Sequence, residues 1–295
     1  MVDFIQVAVS GILLGGVYAL LSVGLTLIFG VVRIINFAHG ELLMIGMYLS
    51  YVLFASIGLN PYLSVVLVAP ALFLVGVIIQ RLVIQPIQEA SAMMKVFATC
   101  GLFIALQNLA LMIFRGDYRT IQTGMSMATF NFSGISVSLS RLVAFGAALI
   151  IFGTLYLMLK YTFIGKALRA VAESRPMAQL MGIRVQRVNL LAFGIGSALT
   201  GIAGAFLLPF TSVYPTIGGI YTLVAFVVVV LGGMGNMVGA FLGGLFIGII
   251  ESFSGTYISP ALKETTYFVI FILILLVRPQ GLFGMGKGSE EVGLK

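Results

Sequence analysis

Charge is the scarcest thing in this chain. Of 295 residues only 8% are charged, against 60% hydrophobic, and the mean hydropathy is +1.16. An average soluble domain carries roughly 25% charged residues. So few charges cannot cover the surface of a water-soluble protein of this size, and so much apolar character excludes a disordered chain. Cysteine is limited to Cys100 and histidine to His39. One cysteine rules out a disulfide framework and any multi-cysteine metal centre. One histidine argues against a histidine-based metal site or acid–base pair. Tryptophan is absent, which leaves tyrosines such as Tyr62, Tyr161, Tyr214 and Tyr257 to mark membrane interfaces.

What remains is apolar and continuous. Runs such as 64–79 and 223–231 lack the alternation of a membrane β-barrel. Helices, which satisfy their own backbone in lipid, are the remaining solution. Nine apolar segments stand out, at about 5–31, 40–57, 62–80, 96–114, 142–159, 188–208, 219–232, 236–255 and 265–278. At about 20 residues per span, these predict an all-α integral membrane protein. It is a polytopic bundle of about 8–9 transmembrane segments with broken or re-entrant helices, forming one domain over 1–295. The N-terminus lacks the basic flank of a signal peptide, so the first segment reads as a retained span. The seventh is short and ends in Gly232-Gly233-Met234-Gly235-Asn236, which suits either a re-entrant half-helix or a crossing.

The few charges are unevenly placed. Residues 160–187 hold six basic side chains against Glu173, five of the seven net positive charges. The positive-inside rule makes this loop cytoplasmic. Counting spans outward then puts loop 80–95 and the tail 279–295 inside, and the N-terminus and loop 115–141 outside. Loop 115–141 fits least well, with Arg115, Arg119 and Arg141 against Asp117. Its stretch Ile121–Ser140 is polar and β-prone and predicts a small external cap.

Small residues recur every four positions: Gly11 and Gly15; Ser197, Gly201 and Ala205; Gly235, Gly239 and Gly243; Gly244 and Gly248. In lipid such series let helix backbones approach closely. The stretch Arg33-Ile34-Ile35-Asn36-Phe37-Ala38-His39-Gly40-Glu41 interrupts the apolar pattern. It reads either as an interfacial connection closed by an Arg33–Glu41 pair or as a hinge lining a transport path. Gln107, Asn108, Asn189, Thr200, Glu251 and Ser252 are polar residues expected to face the bundle interior. Gly281–Lys287 fits part of a nucleotide-binding loop, but Gly288 stands where Ser or Thr is required, and no strand precedes it. No enzyme motif and no metal site is found.

Four stretches carry a family resemblance: Asn36-Phe37-Ala38-His39-Gly40-Glu41, Gly165-Lys166-Ala167-Leu168-Arg169-Ala170, Leu231-Gly232-Gly233-Met234-Gly235-Asn236 with Gly239, and Arg278-Pro279-Gln280-Gly281-Leu282-Phe283-Gly284. Together they resemble the permease subunits of bacterial ABC importers for branched-chain amino acids, the H-type subunit most of all. That resemblance implies a cytoplasmic-membrane permease with several partners. These are a second, homologous permease chain, two cytoplasmic ATPases that hold ATP and magnesium, and a periplasmic substrate-binding protein. The permease itself lies in lipid, takes no cofactor and binds no nucleic acid. It also implies an ATPase-coupling segment containing Arg169, Ala172, Glu173, Arg175, Pro176 and Gly182. Pro176 suits a helix start and Gly182 a helix end. The expected substrate pathway holds Asn36, His39 and Glu41, with Gly232, Gly233, Gly235 and Asn236 as a second contribution. Hydrophobic amino acids are the favoured cargo. Urea, short amides or another small organic compound is the alternative, and a stand-alone ion-coupled transporter using Glu251 is a reading of a different class. A membrane enzyme is the least favoured.

Overall fold

The computed structural model describes residues 2–132 and 135–283. The helices are α1 (Val2–Val32), α2 (His39–Ile57), α3 (Pro61–Ile79), α4 (Ala92–Phe114), α5 (Gly124–Met127), α6 (Leu139–Tyr161), α7 (Phe163–Glu173), α8 (Arg175–Leu180), α9 (Val185–Leu207), α10 (Ile217–Gly232), α11 (Met237–Tyr257) and α12 (Lys263–Val277). Strands β1 (Thr129–Phe132) and β2 (Ile135–Ser138) form an antiparallel hairpin. Among the described residues, eight helices are long and apolar enough to cross a membrane, and α10 is a shorter apolar helix. Each apolar segment read from the sequence corresponds to one of these nine.

Local chemistry sets the helix ends. Asn60 accepts a hydrogen bond from Tyr62 N (3.0 Å) ahead of Pro61, a side-chain cap beside a proline that needs no donor. Thr162, Ser174 and Asn236 cap α7, α8 and α11 in the same way. Gly58, with φ +68°, closes α2. Beyond Ile79, α3 continues through a π turn (Gln80–Ile84) and a 3₁₀ turn that admits Pro86.

The bundle has two distinguishable ends. At one, β2 packs on α1, and Arg119 and Val213 pair through their backbones (2.9 and 2.8 Å), tying the connector after α4 to the one after α9. At the other lie α7 and α8 with the basic loop. Two of the three arginines that sat awkwardly in loop 115–141 have local partners. Arg119 donates to Phe114 O (3.2 Å) and lies over the Tyr51 and Phe114 rings, and Arg141 lies over Phe210. They cover aromatic faces, which explains their presence without reference to orientation.

α1 is the central post. Its small residues meet those of α11 directly. A Cβ at Gly15 would lie 2.7 Å from Leu245 Cα, and one at Gly11 2.7 Å from Ile249 Cα, while Gly244 and Gly248 face Ala19 and Gly15 in return. A Cβ at Gly46 of α2 would lie 2.6 Å from Gly201 Cα of α9. The four-residue series are therefore spent largely on packing inside the chain. Gly235 is an exception: a Cβ there would meet nothing within 4 Å, and its φ of +87° suits the α10–α11 turn.

α10 does not turn back. It begins beside the Val213 connector and ends at a turn where Gly235 lies near Gly30 and Leu282 N donates to Leu231 O (2.7 Å). Sixteen residues rise about 24 Å, short of a ~30 Å hydrocarbon core; the buried Val213 lies ahead of it on the connector. Two sequence expectations fail. Asn108 is exposed and bonded to its own helix at Ile104 O (2.7 Å), so the helix satisfies it without a bundle partner. Arg33 and Glu41 form no pair. Most of the tail 279–295, with Gly284 and all but the first three residues of the Gly281–Lys287 loop, lies outside the described residues.

Overpacking costs about 1–3 kcal/mol. Gly15→Ala should therefore lower the melting temperature in detergent by several degrees. Gly146→Ala, with open space around it, should be neutral. Equal melting of the two variants would contradict the α1–α11 contact.

Candidate translocation site and coupling face

The site begins where α1 stops. Instead of turning at the bundle surface, the chain runs back inward. His39 Nε2 lies 3.0 Å from Leu21 O and 2.9 Å from Thr200 Oγ1. Leu21 precedes Val32 by eleven residues, about 16 Å along the helix. Residues 33–38 are thus a re-entrant, non-helical stretch, and α2 starts deep in the bundle. Asn36, His39 and Glu41 are all fully buried.

Non-helical backbone in an apolar interior requires a partner for each polar group. Thr99 Oγ1 lies 3.1 Å from Ile35 O. His39 N donates to Asn36 O (3.3 Å), and Leu42 N to Ala38 O (3.4 Å). Asn36 Oδ1 accepts from Ala38 N (3.1 Å). Thr222, in the first turns of α10, does most. Its hydroxyl accepts from Gly40 N (2.9 Å) and lies 3.2 Å from Phe37 O. A Cβ at Gly40 would overlap the backbone oxygen of Gly218, and one at Gly218 would displace the Glu41 carboxylate.

These bonds fix proton positions. Thr200 Oγ1 is 2.8 Å from Gly196 O, to which it donates, so it accepts from His39. Nε2 therefore carries a hydrogen shared between Leu21 O and Thr200. His39 Nδ1 is left without a partner, as are Asn36 Nδ2 and both carboxylate oxygens of Glu41. Ser22 and Thr26 on α1, and Asn189 and Ser197 on α9, add further buried polar groups lacking partners. Beside the break lies an apolar cavity of about 380 Å³, lined among others by Leu25, Ile35, Phe37, Leu223 and Phe226. That is within the range of small-molecule sites.

The second expected contributor lies elsewhere. Gly232 packs against Gly239 and Ala240. Gly233 and Gly235 take positive φ in the α10–α11 turn. Asn236 caps α11 through Gly239 N (3.0 Å) and donates to Phe283 O (2.9 Å). These four residues form a tight turn at the basic end, and the structure does not bring them to Asn36, His39 and Glu41. Glu251 is likewise separate. Tyr18 donates to it (2.7 Å), and Lys263 stands 4.0 Å away.

The basic end is tied to the break by two arginines. Arg175, the first residue of α8, donates to Val31 O (3.2 Å) and to Val32 O, the last carbonyls of α1. Arg33, the first residue after α1, donates to Ala172 O (3.0 Å) and Glu173 O (3.4 Å), at the end of α7. Each cation thus serves a helix C-terminus contributed by the other segment, where it also meets a favourable dipole. Burial lowers the pKa of Arg175, as does the nearby Arg33, while Glu89 opposes; the guanidinium stays charged. Arg33 itself holds φ +56°, a left-handed value unusual for a residue other than glycine.

The other expected coupling residues fall on α7 and α8. Arg169 is exposed and donates to Lys160 O (3.2 Å). Pro176 is the second residue of α8, and Gly182 closes it with φ +80°. This face exposes large apolar side chains away from the spans: Phe163 84%, Met177 65%, Leu180 81% and Met181 82%. Thr222, Gly218, Thr99 and the tie made by Arg33 escaped the sequence reading. A lone threonine in an apolar run was the only signal for Thr222.

A many-span bundle with one deep break and one exposed face outside the spans is the architecture of a transport protein. The chain belongs to the family described as branched-chain amino acid transport system / permease component, whose model matches residues 7–278. It is a multi-pass membrane permease. It is 33% identical to the high-affinity branched-chain amino acid transport system permease protein LivH of Salmonella typhimurium, over 95% of this chain and 96% of that protein. The corresponding protein BraD of Pseudomonas aeruginosa is 31% identical over the same shares. The ribose import permease protein RbsC of Bacillus subtilis is 27% identical over 84% of this chain and 74% of its own. No solved structure matches.

Hydrogen bonds left unmade in an interior cost about 1–3 kcal/mol each. Thr222→Val, which keeps the shape and removes the hydroxyl, should destabilise the protein by about 2–4 kcal/mol on that basis. Thr222→Ser should melt close to wild type. A valine variant as stable as the serine variant would remove Thr222 from this role.

Proposed function

We propose that this chain is the substrate-translocating subunit of an ATP-driven importer for branched-chain or other hydrophobic amino acids. The observation that carries this reading is the pairing of a buried polar break with an exposed coupling face through Arg33 and Arg175. In this reading the end bearing α7 and α8 is cytoplasmic, in accord with its basic charge, and the hairpin end faces outward. The chain pairs with a second, homologous permease. Two cytoplasmic ATPases hold ATP and magnesium, and a substrate-binding protein docks at the hairpin end. This subunit needs no cofactor and performs no bond chemistry. It supplies two packings whose relative stability the ATPases bias.

Mechanically, an ATPase groove receives Met177, Leu180 and Met181 of α8. Displacing α8 moves Arg175, which holds the last carbonyls of α1. Displacing α7 moves Arg33, which begins the re-entrant stretch. Motion at the coupling face therefore reaches Asn36, His39 and Glu41 through six residues. Aliphatic cargo suits a mostly apolar path with a few polar groups better than a sugar or an ion. The ion-coupled reading is weaker because Glu251 already accepts from Tyr18.

The test is uptake of labelled leucine, isoleucine and valine by the complete complex in vesicles. Uptake should require ATP and the binding protein, and ATP-independent uptake would refute the proposal. Arg175→Ala should retain basal ATPase activity yet lose at least about tenfold in uptake, equivalent to ~1.4 kcal/mol of coupling. Leu180→Glu should weaken copurification of the ATPases. Wild-type uptake by the first variant, or undiminished copurification of the second, would place the coupling contact elsewhere.

A further inference from the structure

Glu41 is an unusual object in a chain with so few charges. Its carboxylate is fully buried, both oxygens lack a hydrogen-bond partner, and it rests against Gly218, where any side chain would displace it. The nearest cation in the sequence, Arg33, is engaged at the end of α7. A carboxylate taken out of water needs a cation or hydrogen-bond donors.

Asn36 presents the complementary deficiency. Its Oδ1 is fixed by Ala38 N, which orients the amide and leaves Nδ2 as the donor without a partner. Within one six-residue stretch the break therefore holds three unfilled acceptors, His39 Nδ1 among them, and one unfilled donor. The apolar cavity is lined by Ile35 and Phe37, the sequence neighbours of Asn36, and by Leu223, which follows Thr222.

We infer that Glu41 is the acceptor for the α-ammonium group of the transported amino acid, with Asn36 Nδ2 donating to its carboxylate and the cavity receiving its side chain. This assignment rests on the amino-acid importer reading above. An ammonium group matches Glu41 in charge and offers three donors to two oxygens. A neutral amide or sugar offers donors but no compensating charge. Asn36 meets the opposite end of the zwitterion with a neutral donor, so the site cancels one charge and leaves the other hydrogen-bonded. Passage through the break requires Gly218 and Glu41 to part, because no space separates them here. Glu41 thus acts as a specificity residue inside the permease, in addition to any selection by the binding protein.

The experiment uses the reconstituted complex with saturating leucine-loaded binding protein and reads two quantities, leucine uptake and ATPase stimulation. Glu41→Gln keeps the shape and removes the charge. Its uptake should fall at least tenfold while stimulated ATPase activity stays within twofold of wild type, and Glu41→Asp should recover part of the uptake. Wild-type uptake by Glu41→Gln overturns the assignment. So does a parallel loss of uptake and ATPase stimulation, which would make Glu41 a structural residue. If the wild-type complex carries no leucine, isoleucine or valine under ATP, the importer reading falls, and the ammonium assignment falls with it.

Discussion

A backbone that leaves its helix inside an apolar bundle must find a partner for every amide and carbonyl it releases. In the stretch from Arg33 to Ala38 a few groups supply such partners: the side chain of Asn36 and the hydroxyls of Thr99 and Thr222, together with the first bonds of α2. Thr222 reaches the break only because Gly40 and Gly218 let two helix starts touch without side chains between them. That touch depends in turn on α1 standing close to α9 and α11, through Gly24, Gly15 and Gly11. The polar break is stable because the apolar packing around it is dense.

The same stretch is held at its lower end by charge. Arg33 and Arg175 exchange places, each completing the helix that the other segment terminates. Cation-to-carbonyl bonds of this type contribute about 1.5–3 kcal/mol. A left-handed backbone at Arg33 is the local cost of aiming its side chain at α7. Structure and function meet at this exchange, since it joins the large basic loop of the chain to the deep break after α1.

Much of the fold was legible. Nine apolar runs became nine helices with ends shifted by a few residues, because span length and backbone satisfaction leave the chain little choice. The β-prone segment in loop 115–141 became the hairpin, and Pro176 and Gly182 bracketed α8. Asn36, His39 and Glu41 stood out because polarity is expensive in such surroundings. Their geometry was not legible. An Arg33–Glu41 pair looks natural along the sequence, yet the two lie at opposite ends of a stretch that climbs into the bundle. Gly232–Asn236 reads as another break, but its glycines serve a tight turn, and spacing alone does not separate these uses. Thr222 was invisible for a different reason. A threonine in an apolar run commonly bonds its own helix, and only the fold brings Phe37 and Gly40 to it.

The Thr222 contact limits how this bundle can move. One oxygen joins Gly40 of α2, Phe37 of the break and, at 3.1 Å, Gly218 of its own helix. The starts of α2 and α10 are therefore pinned at a common point, and neither swings alone while those bonds persist. A rearrangement that preserves them has fewer independent joints than the element list suggests. Such a rearrangement would turn the pinned pair as one lever, with its pivot at Thr222 and its handle at the arginines.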